Sequence, residues 1–199
     1  MAAPGERYEY ADVNFVLVGL AIEAATGRPW SDVATEEVLR PAGMVDTAIE
    51  ALDDDPPRLA TGYVMDDGPP DRWRTNVYRL TANGMPDGGM ISTAPDLALL
   101  IDAVIGGRLL SPGLTAAMTS PQGPPGDGVE RYGYGCELVV EDGEVTILGH
   151  AGSDPGVSAE AWHHVASDTT IVVLSNQDRG AWAATLRITE ALGLRDARA

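Results

Sequence analysis

Residues 132–175 read YGYGCELVVEDGEVTILGHAGSDPGVSAEAWHHVASDTTIVVLS, and this stretch decides the fold. Short runs rich in valine, isoleucine, tyrosine and threonine alternate with turn residues, a pattern typical of antiparallel strands joined by short turns. Four strands are predicted, over 132–140, 145–150, 157–165 and 169–175. Glu141-Asp-Gly-Glu144 predicts a hairpin between the first two strands, because Asp-Gly supports the backbone angles of a two-residue turn.

Helical patterns lie on both sides of these strands. Asp12 precedes a nearly all-apolar run that ends at Gly27, which predicts a buried helix with an Asp N-cap and a Gly stop. Further helices are predicted over 31–39, over 94–105, where Thr93-Ala-Pro-Asp96 is a capping box, over 112–119, which Ser111-Pro112 starts, and over 181–192. In the first of these, Ser31 is the expected N-cap, and Pro41 and Gly43 are expected to end the helix.

The order of these elements predicts an α+β fold. A helical and loop region over 1–128 carries a Tyr-x-Asp motif, and antiparallel strands over 129–199 carry a His-x-Gly motif and a closing C-terminal helix. We expect both parts to belong to one domain. Residues 51–90 are predicted to be irregular, with solvated acidic turns at 53–57 and 66–71.

The composition excludes several classes of function. The 199 residues contain 13 Lys+Arg against 30 Asp+Glu, a net charge of −17, so neither a nucleic acid nor an anionic membrane surface is expected as a partner. All 13 basic residues are arginines. Without lysine the chain cannot form a Schiff base, a P-loop or a Ser-Lys dyad of its own.

No metal or cofactor is predicted. His163 and His164 are adjacent on a predicted strand, so they point to opposite faces and cannot chelate one ion together. One cysteine and three histidines form no zinc pattern, and Cys136 is expected to be a small buried strand residue without a disulfide partner.

The first candidate site is Tyr10-Ala11-Asp12, directly before a predicted helix start. The positive end of a helix favours anionic neighbours, so a tyrosine there could move a proton or donate to an oxyanion. In the alternative, Asp12 is only a helix cap and Tyr10 only packs at the edge of the domain.

The second candidate site is Gly149-His-Ala-Gly-Ser153, predicted to end one strand and enter a turn. His150 could orient a substrate carboxylate or shuttle a proton. Gly152 and Ser153 could present backbone N–H groups to a developing oxyanion. In the alternative, His150 is a hydrogen-bonded structural histidine.

Several blocks of the sequence, in this order, resemble the β-lactamase-related serine hydrolases, the relatives of class C β-lactamases, D-alanyl-D-alanine carboxypeptidases and esterases. The blocks are Pro4-Gly-Glu-Arg-Tyr-Glu-Tyr-Ala-Asp-Val-Asn-Phe15, Pro41-Ala-Gly-Met44, Ser92-Thr-Ala-Pro-Asp-Leu97, Gly149-His-Ala-Gly152 and Pro155-Gly156. The resemblance implies a β-lactamase/transpeptidase-like fold and acyl transfer to water from an ester, a β-lactam or a D-amino-acid peptide.

The resemblance also implies roles for single residues. That family uses a Ser-x-x-Lys motif, a Tyr-x-Asn motif or its variants, and a Lys-Thr-Gly or His-x-Gly motif. Tyr10 would then assist proton transfer, and Asp12 would contact substrate or position its motif. His150 would replace the cation that faces the substrate, and the Ser153 backbone N–H beside Gly152 would be one oxyanion donor. We expect Tyr10 to stay protonated in this chain.

The Ser-x-x-Lys motif has no counterpart here, since the chain has no lysine. We therefore expect the C-terminal portion of such a hydrolase, truncated before its nucleophile, incomplete at the N-terminus of the fold and inactive alone. The alternative is a non-catalytic binding module or pseudoenzyme that keeps the groove. An unrelated acidic structural protein is the third hypothesis.

Two further expectations concern partners and location. If the family's early strands are missing, Thr169-Thr-Ile-Val-Val-Leu-Ser175 is left as an open sheet edge, which predicts self-association. No membrane segment is predicted, because the longest apolar run, 15–22, is far below the roughly 20 residues of a membrane span. No export signal is recognised, so the default expectation is cytoplasmic, while the location of the complete protein stays open.

Overall fold

The computed structural model describes residues 3, 5–51, 58–65, 72–77, 80, 83–124 and 131–198. Its helices are α1 (Val13–Thr26), α2 (Trp30–Ala34), α3 (Arg40–Ala42), α4 (Ala94–Ile105), α5 (Pro112–Met118) and α6 (Gly180–Leu192). Its strands are β1 (Tyr63–Met65), β2 (Trp73–Thr75), β3 (Arg131–Tyr132), β4 (Glu137–Glu141), β5 (Glu144–Asp154), β6 (Val157–His164) and β7 (Thr169–Ser175). The predicted α+β fold is confirmed, while the acidic turns predicted at 53–57 and 66–71 lie outside the described residues.

The main sheet is an antiparallel meander in the order β3-β4-β5-β6-β7. The predicted β4–β5 hairpin is confirmed, and Asp142 (φ 52°) and Gly143 (φ 86°) take the positive φ angles that a type I′ turn requires. The strand predicted over 132–140 is interrupted at 133–136, where Gly135 turns the backbone at φ 78°. β5 continues to Asp154, so the His150 motif lies inside a strand and the prediction of a turn there was wrong.

Two buried apolar clusters hold the sheet between helices. The first consists of Cys136, Leu138 and Leu148. The second consists of Val139, Ile147 and Trp162. Because residues 138 and 139 are adjacent in β4, the clusters lie on opposite faces of the sheet. Ile105 at the end of α4 packs on the first cluster, and Ala197, beyond α6, packs on the second.

Cys136 is buried, as predicted, although it lies just before β4 rather than within a strand. Its thiol is free. Burial raises the pKa of this thiol to about 11, so it stays protonated at neutral pH.

The closing helix α6 is confirmed and ends at Gly193, whose φ of 67° is left-handed. Its buried residues are Ala181, Thr185 and Thr189. Its large apolar side chains are between 38% and 56% exposed: Ile188, Leu186, Trp182 and Leu192. The helix therefore faces the sheet with small side chains and leaves its larger ones toward solvent.

Helix α1 departs from the sequence prediction at its start and along its side. Asp12 has helical backbone angles and makes no side-chain cap, while Gly27 ends the helix as predicted. Gly19 is the buried residue of this helix, and its Val13, Leu17, Val18 and Leu20 are 55–58% exposed. A helix that is apolar on every side is expected to pack against other polypeptide on every side, but its sequence does not indicate which segment packs there. None of the described helices is long and apolar enough to cross a bilayer.

The second predicted helix is a composite. A π-helical turn, Thr35–Leu39, joins α2 to α3, and Gly43 (φ 84°) ends the unit as predicted. Pro29, not Ser31, occupies the N-cap position of α2. The backbone N–H of Trp30 donates instead to Oε1 of Glu23 in α1, 3.0 Å away, so a carboxylate of another helix replaces the expected serine. Pro41 lies inside α3 and does not end it.

The middle region contains more order than predicted. β1 and β2 form an antiparallel pair within the stretch predicted to be irregular. Thr93 caps α4 as predicted by accepting from the Asp96 N–H. The Asp96 carboxylate is buried and accepts from the Asp46 N–H and the Thr47 hydroxyl, both at 2.8 Å, which ties α4 to the loop after α3.

β7 is the outer strand of the sheet in the described part of the chain, so the edge expected to drive self-association is at the rim. We predict that the chain forms larger species with rising concentration in sizing experiments. Leu174→Lys on β7 should shift the chain toward monomer, because lysine on an edge strand opposes strand pairing. Val165→Lys is the matched control, since Val165 is also exposed but lies in the turn before β7. A sharp wild-type monomer peak at high concentration would contradict the prediction.

Candidate active site

The structure brings the two predicted motifs together. The rings of Tyr10 and His150 lie 6.2 Å apart between centroids, although the residues are far apart in the chain. Tyr132 forms a triangle with them, because its ring lies 6.1 Å from the Tyr10 ring and 5.9 Å from the His150 ring. Tyr8 and Phe15 complete an aromatic cluster at the start of α1, at 5.5 Å from Tyr132 and 6.1 Å from Tyr10 respectively.

His150 is held at both ring nitrogens. Nδ1 lies 2.7 Å from the carbonyl oxygen of Ala151, and because a carbonyl can only accept, Nδ1 carries the hydrogen. Nε2 lies 2.9 Å from the Tyr132 hydroxyl. The sequence suggested a cation that faces the substrate directly. The structure instead shows an imidazole whose two nitrogens already have protein partners.

Glu137 lies beside this histidine at the start of β4. Its Oε1 is 3.7 Å from Nδ1 of His150, and its side chain is only 16% exposed. Burial raises the pKa of the Glu137 carboxyl, while His150, Arg198 and a hydrogen bond from the Ala151 N–H act in the opposite direction. The site therefore contains a desolvated carboxyl next to its histidine.

The tyrosines of the cluster are held in the protonated form. Burial, the neighbouring Asp12 charge and a hydrogen bond to Asp12 raise the pKa of Tyr10 to about 12. Burial also raises the pKa of Tyr132 and of Tyr8. Tyr10 is thus a donor at neutral pH, as we expected, and Asp12 accepts from it rather than capping α1.

Ser153 lies on an open stretch of β5. β4 pairs with β5 only as far as Gly149, so residues beyond it pair with β6 alone among the described strands. The Ala151 N–H points away from β6, since it bonds to Glu137. Alternate N–H groups of a strand point to the same side, so the Ser153 N–H points to that open edge. Gly152, between them, is exposed and has no atom within 4 Å of the position a Cβ would take.

Within the described ranges, no group of three or more His, Cys, Asp or Glu side chains is placed to hold a metal ion. His163 and His164 are both buried in β6, and Nδ1 of His163 pairs with the Thr170 hydroxyl at 3.0 Å. These two histidines are buried within the sheet and do not belong to the aromatic cluster.

Sequence reasoning missed Tyr132 and Glu137. Tyr132 read as an ordinary strand residue, and Glu137 read as one polar position in an alternating strand. The signal that was available is the run Tyr-Gly-Tyr-Gly-Cys-Glu over 132–137, whose glycines break the strand and let both side chains reach the histidine.

The chain is similar to known proteins in sequence and in fold. The family model described as Beta-lactamase matches residues 1–194. Penicillin-binding protein 4* of Bacillus subtilis is 27% identical over 184 residues, which cover 88% of this chain and 41% of that protein. The D-aminopeptidase of Brucella anthropi is 28% identical, covering 89% of this chain and 33% of that protein.

Among solved structures, the penicillin-binding protein from Bacillus halodurans superposes with a TM-score of 0.88 at 33% identity, covering 96% of this chain and 58% of that one. The fold is that of penicillin-binding-protein-like serine hydrolases. The chain belongs to the β-lactamase family, as the sequence resemblance indicated. It spans about two fifths of the first curated relative and a third of the other.

Proposed function

We propose that these residues form the Tyr-x-Asp and His-x-Gly part of a serine hydrolase that transfers an acyl group to water. The nucleophilic serine and its lysine, in this proposal, come from polypeptide outside residues 1–199. The observation that carries the proposal is the position of Tyr10, Tyr132 and His150 in one cluster, next to the open edge of β5.

The roles follow from the chemistry of acyl transfer. A serine Oγ attacks the substrate carbonyl, and the negative charge that develops on the carbonyl oxygen needs N–H donors such as that of Ser153. The lysine of the Ser-x-x-Lys motif takes the serine proton as the bond to the carbonyl carbon forms. The leaving group then departs with a proton from Tyr10, which is protonated at neutral pH and regains its proton from that lysine. Water then attacks the acyl-serine and releases the acid. Asp12 holds the Tyr10 hydroxyl in place.

The exposed side of α1 supports a covering segment. Leu17, Val18 and Leu20 lie in solvent immediately after the Tyr10 motif, each more than half exposed. Burying such side chains stabilises a protein by about 1.5–3 kcal/mol each, so a polypeptide segment that packs on this side of α1 would add considerably to the free energy of unfolding. A segment on this face of α1 would also lie beside the tyrosine cluster.

The substrate class we favour is an ester or a D-amino-acid amide rather than a β-lactam. The carboxylate of a penicillin-type substrate calls for a cation, and this site has His150, with both nitrogens engaged, where the family's Lys-Thr-Gly motif has a lysine. Asp12 and Glu137 make the surroundings acidic, which suits a substrate carrying an ammonium group. One relative reported above is named D-aminopeptidase, which agrees with this preference.

The test begins with the codons upstream of Met1. We expect an in-frame Ser-x-x-Lys within about one hundred codons; stop codons there would favour the alternative, a non-catalytic module that keeps the groove. The extended protein should hydrolyse a chromogenic ester and a D-alanine anilide faster than a chromogenic cephalosporin. His150→Ala should reduce all three rates by about 10²-fold or more, since it removes the partner of Tyr132. Faster turnover of the cephalosporin would contradict the substrate assignment.

A further inference from the structure

Further charged side chains lie close enough to Glu137 to influence it. Behind Glu137 lies Glu160, 3% exposed, whose Oε1 is 2.8 Å from Nη1 of Arg198. The indole N–H of Trp162 donates to the other oxygen of Glu160 at 3.0 Å. The Arg198 guanidinium lies 5.7 Å from the Trp182 ring centroid, which holds it against α6. Arg198, in the segment after α6, thus lies close to two largely buried carboxyls, those of Glu160 and Glu137.

Tyr132 and His150 can share their hydrogen bond in two ways. Nδ1 of His150 keeps its hydrogen on the Ala151 carbonyl in both. When the ring is neutral, Nε2 accepts from the Tyr132 hydroxyl. When the ring is protonated, Nε2 donates to the Tyr132 oxygen, and the hydroxyl hydrogen of Tyr132 becomes free to point toward its other neighbour, Tyr10.

We propose that Glu137 and Tyr132 are positioning residues of this site: the Tyr132 hydroxyl holds the His150 ring at Nε2, and the Glu137 carboxyl holds it from beside Nδ1. The inference rests on the proposed acyl-transfer function for its purpose, but not for its test. Arg198 supports the same arrangement, because it pairs with Glu160 and stabilises the ionised form of Glu137.

Several charged or titratable groups surround Glu137, and each either raises or lowers the pKa of its carboxyl. His150 and Arg198 stabilise its ionised form, as does the Ala151 N–H. Glu160 opposes ionisation. The remaining neighbours, Tyr8, Tyr10, Tyr132 and Cys136, are all held protonated by burial, so they bring no charge at neutral pH. His150 and Arg198 are therefore the side chains whose removal should be felt at Glu137.

The experiment is a carboxyl ¹³C NMR titration of the 199-residue chain labelled at glutamate, with Glu137 assigned by Glu137→Gln. Removing the imidazole in His150→Gln should raise the pKa of Glu137, because a favourable charge is lost. Arg198→Ala should also raise it. Arg187→Ala is the matched control, since Arg187 pairs with exposed Glu190 on α6 and should leave Glu137 unchanged. If Arg198→Ala fails to fold, Arg198→Lys replaces it. Because lysine keeps the positive charge, it should raise the pKa of Glu137 by less than removal of the charge would.

The second measurement reads the hydrogen bond itself. In Tyr132→Phe, the ¹⁵N resonance of Nε2 in neutral His150 should move toward that of a free imidazole nitrogen, while Nδ1 keeps its hydrogen. A Glu137 pKa that stays the same in His150→Gln, or an Nε2 resonance unmoved in Tyr132→Phe, would overturn the proposal. Neither readout requires turnover, so failure here is distinguishable from failure of the proposed acyl-transfer function.

Discussion

Incubated alone with an activated ester or a penicillin, the 199-residue chain is expected to show no covalent acyl adduct by intact mass spectrometry. The reason is chemical. The chain contains no lysine, and the family's nucleophile is a serine paired with a lysine in Ser-x-x-Lys. Loss of a serine nucleophile lowers a hydrolase rate on the order of 10⁶-fold, so only a small residual hydrolysis should remain.

The positive control is the Bacillus halodurans penicillin-binding protein, treated in the same way. A chimera that joins the part of that protein not covered by this chain to residues 1–199 should regain the adduct. A one-to-one adduct on the isolated chain would contradict the proposal. Ser153→Ala and Ser92→Ala would then show which serine of this chain had reacted.

The second large effect concerns stability. Gly149→Ala is expected to destabilise the chain by about 3 kcal/mol or more, enough to abolish folding of a marginal domain. A Cβ at Gly149 would lie 2.0 Å from the Ala161 carbonyl oxygen and 2.8 Å from Cε3 of Trp162. These atoms belong to β6 and to the core beneath it, so neither can yield without breaking the sheet.

Gly152→Ala is the matched control, three residues further along the same strand. Nothing lies within 4 Å of its Cβ position, so its stability should change by less than about 1 kcal/mol. Urea denaturation followed by circular dichroism measures both variants. Equal stability of the two would show that β5 and β6 are not packed as described. In an active enzyme, Gly152→Ala reports instead on space for the substrate.

Local signals in the sequence predicted local structure well. Thr93 and Ser111 cap their helices through their own hydroxyls, and the Asp-Gly turn closes its hairpin, because each depends on residues that are close in sequence. The cap predictions failed at Asp12 and Ser31, where tertiary partners took over. Asp12 bonds to Tyr10, and Glu23 satisfies the N-terminus of α2.

The site was predictable only in part, for the same reason. The family resemblance placed Tyr10 and His150 in one pocket, and their ring distance agrees. It gave no indication that Tyr132 would occupy Nε2 or that a buried carboxyl would lie beside Nδ1. Those contacts depend on the break in the strand over 133–136, which alternation of polar and apolar residues does not encode. The exposure of α1 was missed because an apolar sequence indicates that a helix should be buried. It does not indicate whether the segment that buries it belongs to the same 199 residues.

The burial of the Cys136 thiol makes site-specific labelling of this chain through an introduced cysteine possible. Cys136 is 7% exposed and stays un-ionised well above neutral pH, so maleimides and spin labels have almost nothing to react with in the native chain. One cysteine introduced on the open side of α1 would therefore carry a fluorophore or nitroxide alone. Its signal would report directly when a second polypeptide arrives on that helix.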